Sequence, residues 1–338
     1  MIMTGYTVAV VGATGLVGGM MLRVLEERSF PVHRLVAVAS DRSAGRSVRF
    51  AGEEHPVLPV SASVFDGVDV ALFSAGGDAS RQWSPVAVEH GAVVIDNSSA
   101  WRMAEGVPLV VPEVNAHAVP DSAPRIIANP NCSTIQMVVA LRPLRDRYGL
   151  RRVFVSTYQA ASGAGQRGLD QFDAELSGQA AERPVFAHTL LDNALPHIAP
   201  FLDNGSTVEE MKMVHETRKI LELPALPVSV TCVRVPVRNA HSEAVHVELN
   251  ADFTIEELRA VLAAGEGIVI EDDTSAARYP LAHEVAGRDE VFVGRIRHDT
   301  GMERGVALWV VSDNVRKGAA TNAVQIAEHW RALRERGK

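Results

Sequence analysis

Apolar residues fall along this chain in two rhythms. In the first third they form short, nearly unbroken runs rich in β-branched residues: Thr7–Val11, Leu35–Ala39, Val68–Phe73, Ala92–Ile95 and Arg125–Ala128. Runs of this kind suit strands buried on both faces. Between them lie stretches with helical spacing, such as Met20, Met21, Val24 and Leu25, and a segment after Ser74-Ala75-Gly76-Gly77 that runs to about His90. Strand and helix in alternation predict a parallel sheet flanked by helices, a Rossmann-like α/β domain.

Beyond residue 130 the rhythm changes. A helical pattern from Ile135 to Arg147 is followed by segments that alternate like half-buried strands, Arg151–Tyr158, Val228–Val237 and Ala244–Leu249, the last opened by His241. Further strands near Ile268–Ile270, Val291–Ile296 and Val306–Val311 predict a large, mostly antiparallel or mixed sheet. Thr207-Val208-Glu209-Glu210 has the form of a capping box opening a helix. A last helix, Arg316 to about Arg336, is expected to pack back on the first domain. The expected organisation is therefore a nucleotide-binding domain over 1–130, completed by 315–338, and an α+β catalytic and dimerisation domain over 131–314.

The 338 residues are long for one core, in keeping with two domains. A formal charge of −8 argues against nucleic acid as a partner, so any bound anion must be met by a few placed cations. Two cysteines a hundred residues apart form neither a disulfide framework nor a metal-ligand spacing. No metal and a reducing cytoplasm are expected. Met1 to Tyr6 carry no basic n-region, and the apolar run after them is broken by Gly12 and Gly15, so neither a signal peptide nor a membrane span is expected.

The chemistry is concentrated in Asn129-Pro130-Asn131-Cys132-Ser133-Thr134, between a short strand and a helix. Asn131 is a good N-cap, which places Cys132 in the first helical turn, where unpaired N–H groups and the helix dipole favour the thiolate. Cys132 is thus a candidate nucleophile, the alternative being a small core thiol. Near the N-terminus, Gly12-Ala13-Thr14-Gly15-Leu16-Val17-Gly18 joins a strand to a helix, as a dinucleotide site requires, although its spacing departs from the commonest G-x-G-x-x-G. Ser40-Asp41-Arg42-Ser43 ends the next strand. Arg42 with Ser40 and Ser43 suits a 2′-phosphate and hence NADP, with Asp41 the dissenting residue.

Arg102, on a polar loop after the strand at 92–95, is a candidate anion ligand. Gln159, at the head of a small-residue loop containing Ser162 and Gly163, is able to orient a carbonyl or amide. Glu209 and Lys212 share a helix face, by default as an exposed ion pair. Strand parity puts Val230, Cys232, Arg234 and Pro236 on one side, and a short turn brings His241 beside Arg234.

Taken together, these motifs resemble the aspartate-semialdehyde dehydrogenase family, bacterial type, nearly end to end. The glycine turn, the Cys132 hexapeptide, Tyr158-Gln159-Ala160-Ala161-Ser162-Gly163, Glu209-Glu210-Met211-Lys212, Arg234-Val235-Pro236-Val237 and Asn322-Ala323-Val324-Gln325-Ile326 carry the resemblance. It implies NADPH-dependent reductive dephosphorylation of L-aspartyl-4-phosphate to L-aspartate 4-semialdehyde, on the route to lysine, threonine, methionine and isoleucine, by a homodimer. By similarity, Cys132 forms a thioester, His241 acts as acid/base, and Gln159 orients the acyl group. Arg234 would clamp the α-carboxylate, Glu209 the ammonium, and Arg102 and Lys212 the phosphate, with Asn131 also on the substrate side. The nucleotide would meet Gly12, Thr14, Gly15, Leu16, Val17, Ser40, Arg42, Ser43, Ser162, Gly163 and Asn322.

Two alternatives stand beside this reading. N-acetyl-γ-glutamyl-phosphate reductase uses the same thioester logic, but its cysteine usually follows Pro-Gly, not Asn, and an acetylated nitrogen has no need of Glu209. A catalytically silent nucleotide-binding homologue is disfavoured by the joint presence of Cys132, Gln159, Arg234 and His241.

Overall fold

Val8 and Val10 face one side of strand β1 (Tyr6–Val11), Ala9 and Val11 face the other, and all four are buried. The first pair packs with Met21 and Leu25 of α1 (Leu16–Glu27); the second packs with Phe65 and Ala87. A strand covered on both faces reads as a continuous apolar run, as this one does. Each fully buried Val or Leu contributes about 1.5–3 kcal/mol.

The computed structural model describes residues 5–43, 45–120 and 125–336. Residues 1–4, which open the stretch read above for targeting signals, and 337–338, the end of the 315–338 segment expected to complete the first domain, lie outside the described residues, as do 44 and 121–124. The chain divides into two compact units, 1–130 with 319–338, and 131–318.

In the first unit β1 and α1 are followed by β2 (Val32–Ala39), β3 (Ser47–Phe50), β4 (Glu53–Pro59), β5 (Val70–Phe73), α2 (Gly77–Glu89), β6 (Val93–Asp96), the short α3 (Pro112–Asn115) and β7 (Ile126–Ala128). Their order in the sheet is β3-β4-β2-β1-β5-β6-β7, all pairs parallel except β3 with β4. Strand β2 starts at Val32, before the expected Leu35: His33 and Arg34 are exposed and break the apolar run, yet the backbone already pairs with β1. The β3–β4 hairpin was not legible because Glu53, Glu54 and His55 interrupt any apolar alternation. From β1 the chain crosses to β2 on one side, and β5 lies on the other, so the ends of β1 and β5 form the switch point where such sheets bind ligands.

The second unit opens with α4 (Cys132–Tyr148), whose residues Ser133 through Leu141 are all buried. A helix enclosed on every side carries little amphipathic signal. After it come β8 (Leu150–Gln159), α5 (Gln166–Leu176), α6 (Val208–Ile220), β9 (Val228–Arg234), β10 (His241–Leu249), α7 (Ile255–Ala263), β11 (Ile268–Ile270), α8 (Ala282–Val285), β12 (Val291–His298) and β13 (Gly305–Ser312). The sheet runs β11-β12-β13-β10-β8-β9 and is mixed: β8 with β9 and β11 with β12 are parallel, the rest antiparallel.

Strand β9 stops at Arg234, short of the Val237 expected from alternation, since Pro236 has no N–H to give a ladder. At the other end of this unit, Asp313 accepts from the backbone of Val315, Arg316 and, through its carbonyl, Gly318. These bonds wind Arg316–Ala320 as a π turn before α9 (Thr321–Arg336), instead of one uniform helix from Arg316. Helix α9 belongs to the first unit, where Val324 and Ala327 join the core with Val8 and Val10.

Candidate active site

Asn131 caps α4 as its sequence position requires: its Oδ1 accepts from Ser133 N at 3.0 Å and Thr134 N at 3.2 Å. Its own groups are held by α6. The Nδ2 donates to Glu209 Oε1 at 2.8 Å, and the backbone N–H donates to Glu216 Oε2 at 2.6 Å. Glu209 and Glu216 lie seven residues, two helical turns, apart and so share a face. Cys132 starts the helix, half-buried and not disulfide-bonded. Gly318 gives it room, because a Cβ there would lie 2.8 Å from Cys132 Cβ.

Beside this helix start, Gln159 at the end of β8 donates from Nε2 to Ser133 Oγ at 2.6 Å. Arg234, at the end of β9 and 5% exposed, donates from Nη1 to Ala160 O at 2.6 Å. Burial weakens its hold on its proton, while Glu209, Cys132 and Cys232 act electrostatically in the opposite sense, which puts all three within its field. His241, the first residue of β10, has no exposed surface. The N–H of Ala160 donates to its Nδ1 at 3.0 Å, which leaves the ring proton on Nε2, and Nε2 has no partner. Burial and the neighbouring Arg234 charge both depress the His241 pKa well below the ordinary 6.5, with a backbone hydrogen bond at Ala240 opposing them. The ring is therefore a neutral Nε2–H donor.

The guanidinium and the imidazole converge on Gly163. A Cβ there would sit 2.6 Å from Arg234 Nη1 and 3.1 Å from His241 Cε1 and Nε2. Glu209 also accepts from Lys212 Nζ at 3.1 Å, and since Glu209 is buried this is not the exposed pair expected by default. Cys232 is sealed in the core, and burial pushes its thiol far above the usual range, so it is the inert cysteine.

In the first unit, the glycine turn leaves no space for side chains. Gly12 has φ +91°, and a Cβ on it would lie 2.4 Å from Ser74 O; one on Gly18 would lie 2.0 Å from Gly12 O. Gly15 caps α1 without any side-chain bond. The first N–H groups of α1, from Leu16 and Val17, thus receive no side-chain cap, a geometry able to take an anion. A cleft of about 560 Å³ adjoins them, lined by Thr14, Gly15, Arg46 and Arg49 among others. Thr14 Oγ1 donates to Ser43 Oγ at 3.3 Å, while Ser40 and Arg42 are exposed nearby in sequence. A turn that only glycine fits, an uncapped helix start and a cationic cleft suit a dinucleotide.

A family model described as "Semialdehyde dehydrogenase, NAD binding domain" matches residues 7–122, and one described as "Semialdehyde dehydrogenase, dimerisation domain" matches 141–317. An aspartate-semialdehyde dehydrogenase of Aquifex aeolicus is 52% identical over 331 residues, 96% of this chain and 97% of that protein. The chain belongs to the aspartate-semialdehyde dehydrogenase family. The enzyme of that name from Bacillus subtilis is 49% identical over 341 residues, covering 97% of this chain and 98% of its own. The crystal structure of aspartate semialdehyde dehydrogenase II from Vibrio cholerae, complexed with ASA, superposes with a TM-score of 0.91 at 48% identity over 97% of this chain and 99% of that one. Membership makes this protein an oxidoreductase of amino-acid biosynthesis with a nicotinamide-nucleotide-binding domain, and does not favour the acetylglutamyl-phosphate alternative.

Of the residues expected in the family's site, Asn131, Cys132, Gln159, Arg234, His241, Glu209 and Lys212 fall within the second unit, tied by the bonds above, as do Ser162 and Gly163. Ser162 exchanges hydrogen bonds with Asn314 at 3.0–3.1 Å. Arg102 lies in the first unit and donates to Asn129 O and Asn97 O, each at 3.0 Å. Asn322 is buried there too, its Nδ2 donating to Val110 O and Asn129 Oδ1. The sequence reading missed Ser133, Ala160, Glu216 and Gly318, and also Arg46 and Arg49 in the cleft. Only Glu216 left a trace, in its two-turn spacing from Glu209. Among the described residues no helix is long and apolar enough to cross a membrane, and no group of three or more His, Cys, Asp or Glu residues is placed to hold a metal ion.

Proposed function

We propose that this protein reduces L-aspartyl-4-phosphate to L-aspartate 4-semialdehyde with release of phosphate, with NADPH as reductant and as a cytoplasmic homodimer. The observation that carries the reading is the buried Arg234, which has Glu209 and Cys132 in its field and shares the space over Gly163 with His241. A planar cation beside a nucleophile and a carboxylate matches a substrate that bears an α-carboxylate, an ammonium group and a reactive acyl carbon.

The Cys132 sulfur, as the thiolate that the start of α4 favours, attacks the acyl carbon. A C–S bond forms, and the C–O bond to phosphate breaks with its electrons leaving on the phosphate. Lys212, beside Glu209, would meet that phosphate, and Gln159 would orient the acyl group. The His241 Nε2–H faces the charge that develops on the carbonyl oxygen, as a donor fixed in advance by the Ala160 N–H. With Nδ1 taken by the Ala160 N–H and Nε2 already protonated, His241 serves as that donor and takes up no proton. A nicotinamide nucleotide, when bound, supplies the hydride that reduces the thioester. Release of the aldehyde breaks the C–S bond and returns its electrons to Cys132.

Within the first unit, Gly12, Thr14, Gly15, Leu16 and Val17 would hold the pyrophosphate, and Ser40, Arg42 and Ser43 the 2′-phosphate. The matched dimerisation domain supports the homodimer. Phe154 and Tyr158, which alternate on β8 with the buried Val153, Val155 and Thr157, are exposed on the opposite face of the sheet.

The test is phosphate-dependent NADP reduction with three aldehydes: aspartate semialdehyde, N-acetylglutamate semialdehyde and glyceraldehyde 3-phosphate. Turnover of the first alone is expected. Preference for either of the others overturns the substrate assignment.

A further inference from the structure

Two residues along β10 from His241, and so on the same face of the strand, stands Glu243. It has no exposed surface, its strand partners are Thr157 and Val310, and neither carboxyl oxygen has a hydrogen-bond partner. Among the described residues no cation pairs with it. An ionised carboxylate in such a place lacks everything that would stabilise its charge, whereas a protonated one needs a single acceptor.

That acceptor is at hand. Gln136, one turn after Cys132 on α4, is the one side chain close enough to act on the Glu243 carboxyl, where its N–H groups favour the charged form and its Oε1 can favour the neutral one. Its Nε2 donates to the backbone carbonyl of His241 at 3.3 Å, and its Oε1 is buried without a donor. One proton on Glu243, pointed at Gln136 Oε1, satisfies both orphaned groups at once. We propose that Glu243 is a neutral carboxylic acid that donates to Gln136 and so joins the helix bearing Cys132 to the strand bearing His241.

Glu243 is thus a positioning residue, touching neither substrate nor nucleotide. Its neutrality has a second consequence: a carboxylate there would add negative charge beside the buried Cys232, on which Glu209 and Glu210 already act. Burial drives the acid in the required direction, its pKa lying well above the ordinary 4.5, with Gln136 tempering the rise.

The inference rests on the reading of Cys132 and His241 as the reacting pair only for its kinetic arm; the spectroscopic arm is independent. Isotope-edited infrared spectra of the full chain labelled at glutamate are expected to show a protonated carboxyl C=O band at assay pH that disappears in Glu243→Gln. Glu243→Gln, which keeps a donor for Gln136, is expected to retain kcat within about twofold, while Glu243→Ala and Gln136→Leu lower kcat about tenfold or more with KM little changed. Absence of the band, or equal losses in Glu243→Gln and Glu243→Ala, overturns the proposal. So does full kcat in folded Glu243→Ala. If the alanine variant does not fold, the band and the Gln136→Leu kinetics still decide. Loss of the thioester reading itself would leave the band in place, which separates the two failures.

Discussion

The backbone N–H of Ala160 donates to Nδ1 of His241 at 3.0 Å, and with that bond the imidazole is set as an Nε2–H donor in a space that excludes water. A backbone N–H has no acceptor capacity, so the tautomer follows from the loop that carries Ala160. That loop is the small-residue segment after Gln159. Its next glycine, Gly163, lets Arg234 and His241 approach one point.

Gly163→Ala is therefore expected to damage catalysis and not the fold. The new methyl would meet Arg234 Nη1 at 2.6 Å, and the guanidinium, bonded to Ala160 O, is the group that must give. With Arg234 as the carboxylate clamp, KM rises and kcat/KM falls about 100-fold. Unchanged kcat/KM with a lowered Tm would assign Gly163 to packing alone.

In the nucleotide turn, Gly12→Ala combines a positive φ with a backbone oxygen 2.4 Å away. Strain and overpacking together cost about 2–4 kcal/mol. Thermal unfolding is expected at a lower temperature and NADP binding to weaken together with it; a variant of wild-type stability and affinity would contradict the close approach of the turn to Ser74.

Arg42 and Asp41 pull the cofactor choice in opposite directions. Loss of a charge-assisted contact in Arg42→Ala is expected to weaken NADP binding by roughly tenfold or more and to leave NAD nearly unchanged. Binding constants for the two nucleotides decide it, and equal losses would mean that Arg42 does not meet the 2′-phosphate.

Stability should carry two opposing pH dependences from one strand. Burial holds His241 well below 6.5, so the unfolded chain takes up a proton that the folded chain refuses, and stability falls as pH drops through that value. Burial holds Glu243 well above 4.5, so the folded chain keeps a proton that the unfolded chain loses, and stability falls as pH rises from that value towards the folded pKa. Relative to wild type, Glu243→Gln should thus gain more Tm at about pH 8 than at about pH 5, and His241→Asn the reverse. Shifts in Tm that do not depend on pH would contradict both assignments.

These relationships differ in how far they can be read without a fold. Strands such as Thr7–Val11, the glycine turn, the Asn131 cap and the Thr207–Glu210 capping box are local, written in adjacent residues, and the structure contains each of them. The β3–β4 hairpin and the π turn at Arg316–Ala320 leave no periodic trace, since their polar residues and backbone bonds decide them. Arg234 and His241 were paired because one short turn separates them. Glu216, Gly318 and Glu243 reach the site from segments distant from Cys132, and Ala160 and Gln136, though close in sequence to Gln159 and Cys132, are chosen by space and by unpaired polar groups, which only the folded chain defines.

Trapping the acyl-enzyme tests the thioester most directly. Mixing the protein with L-aspartyl-4-phosphate in the absence of nucleotide is expected to release stoichiometric phosphate in a burst and to leave an aspartyl group, labile to hydroxylamine, on the Cys132 peptide by mass spectrometry. Cys132→Ala should show neither. A burst without an adduct on Cys132, or turnover that survives in Cys132→Ala, would contradict the thioester and the site built around it.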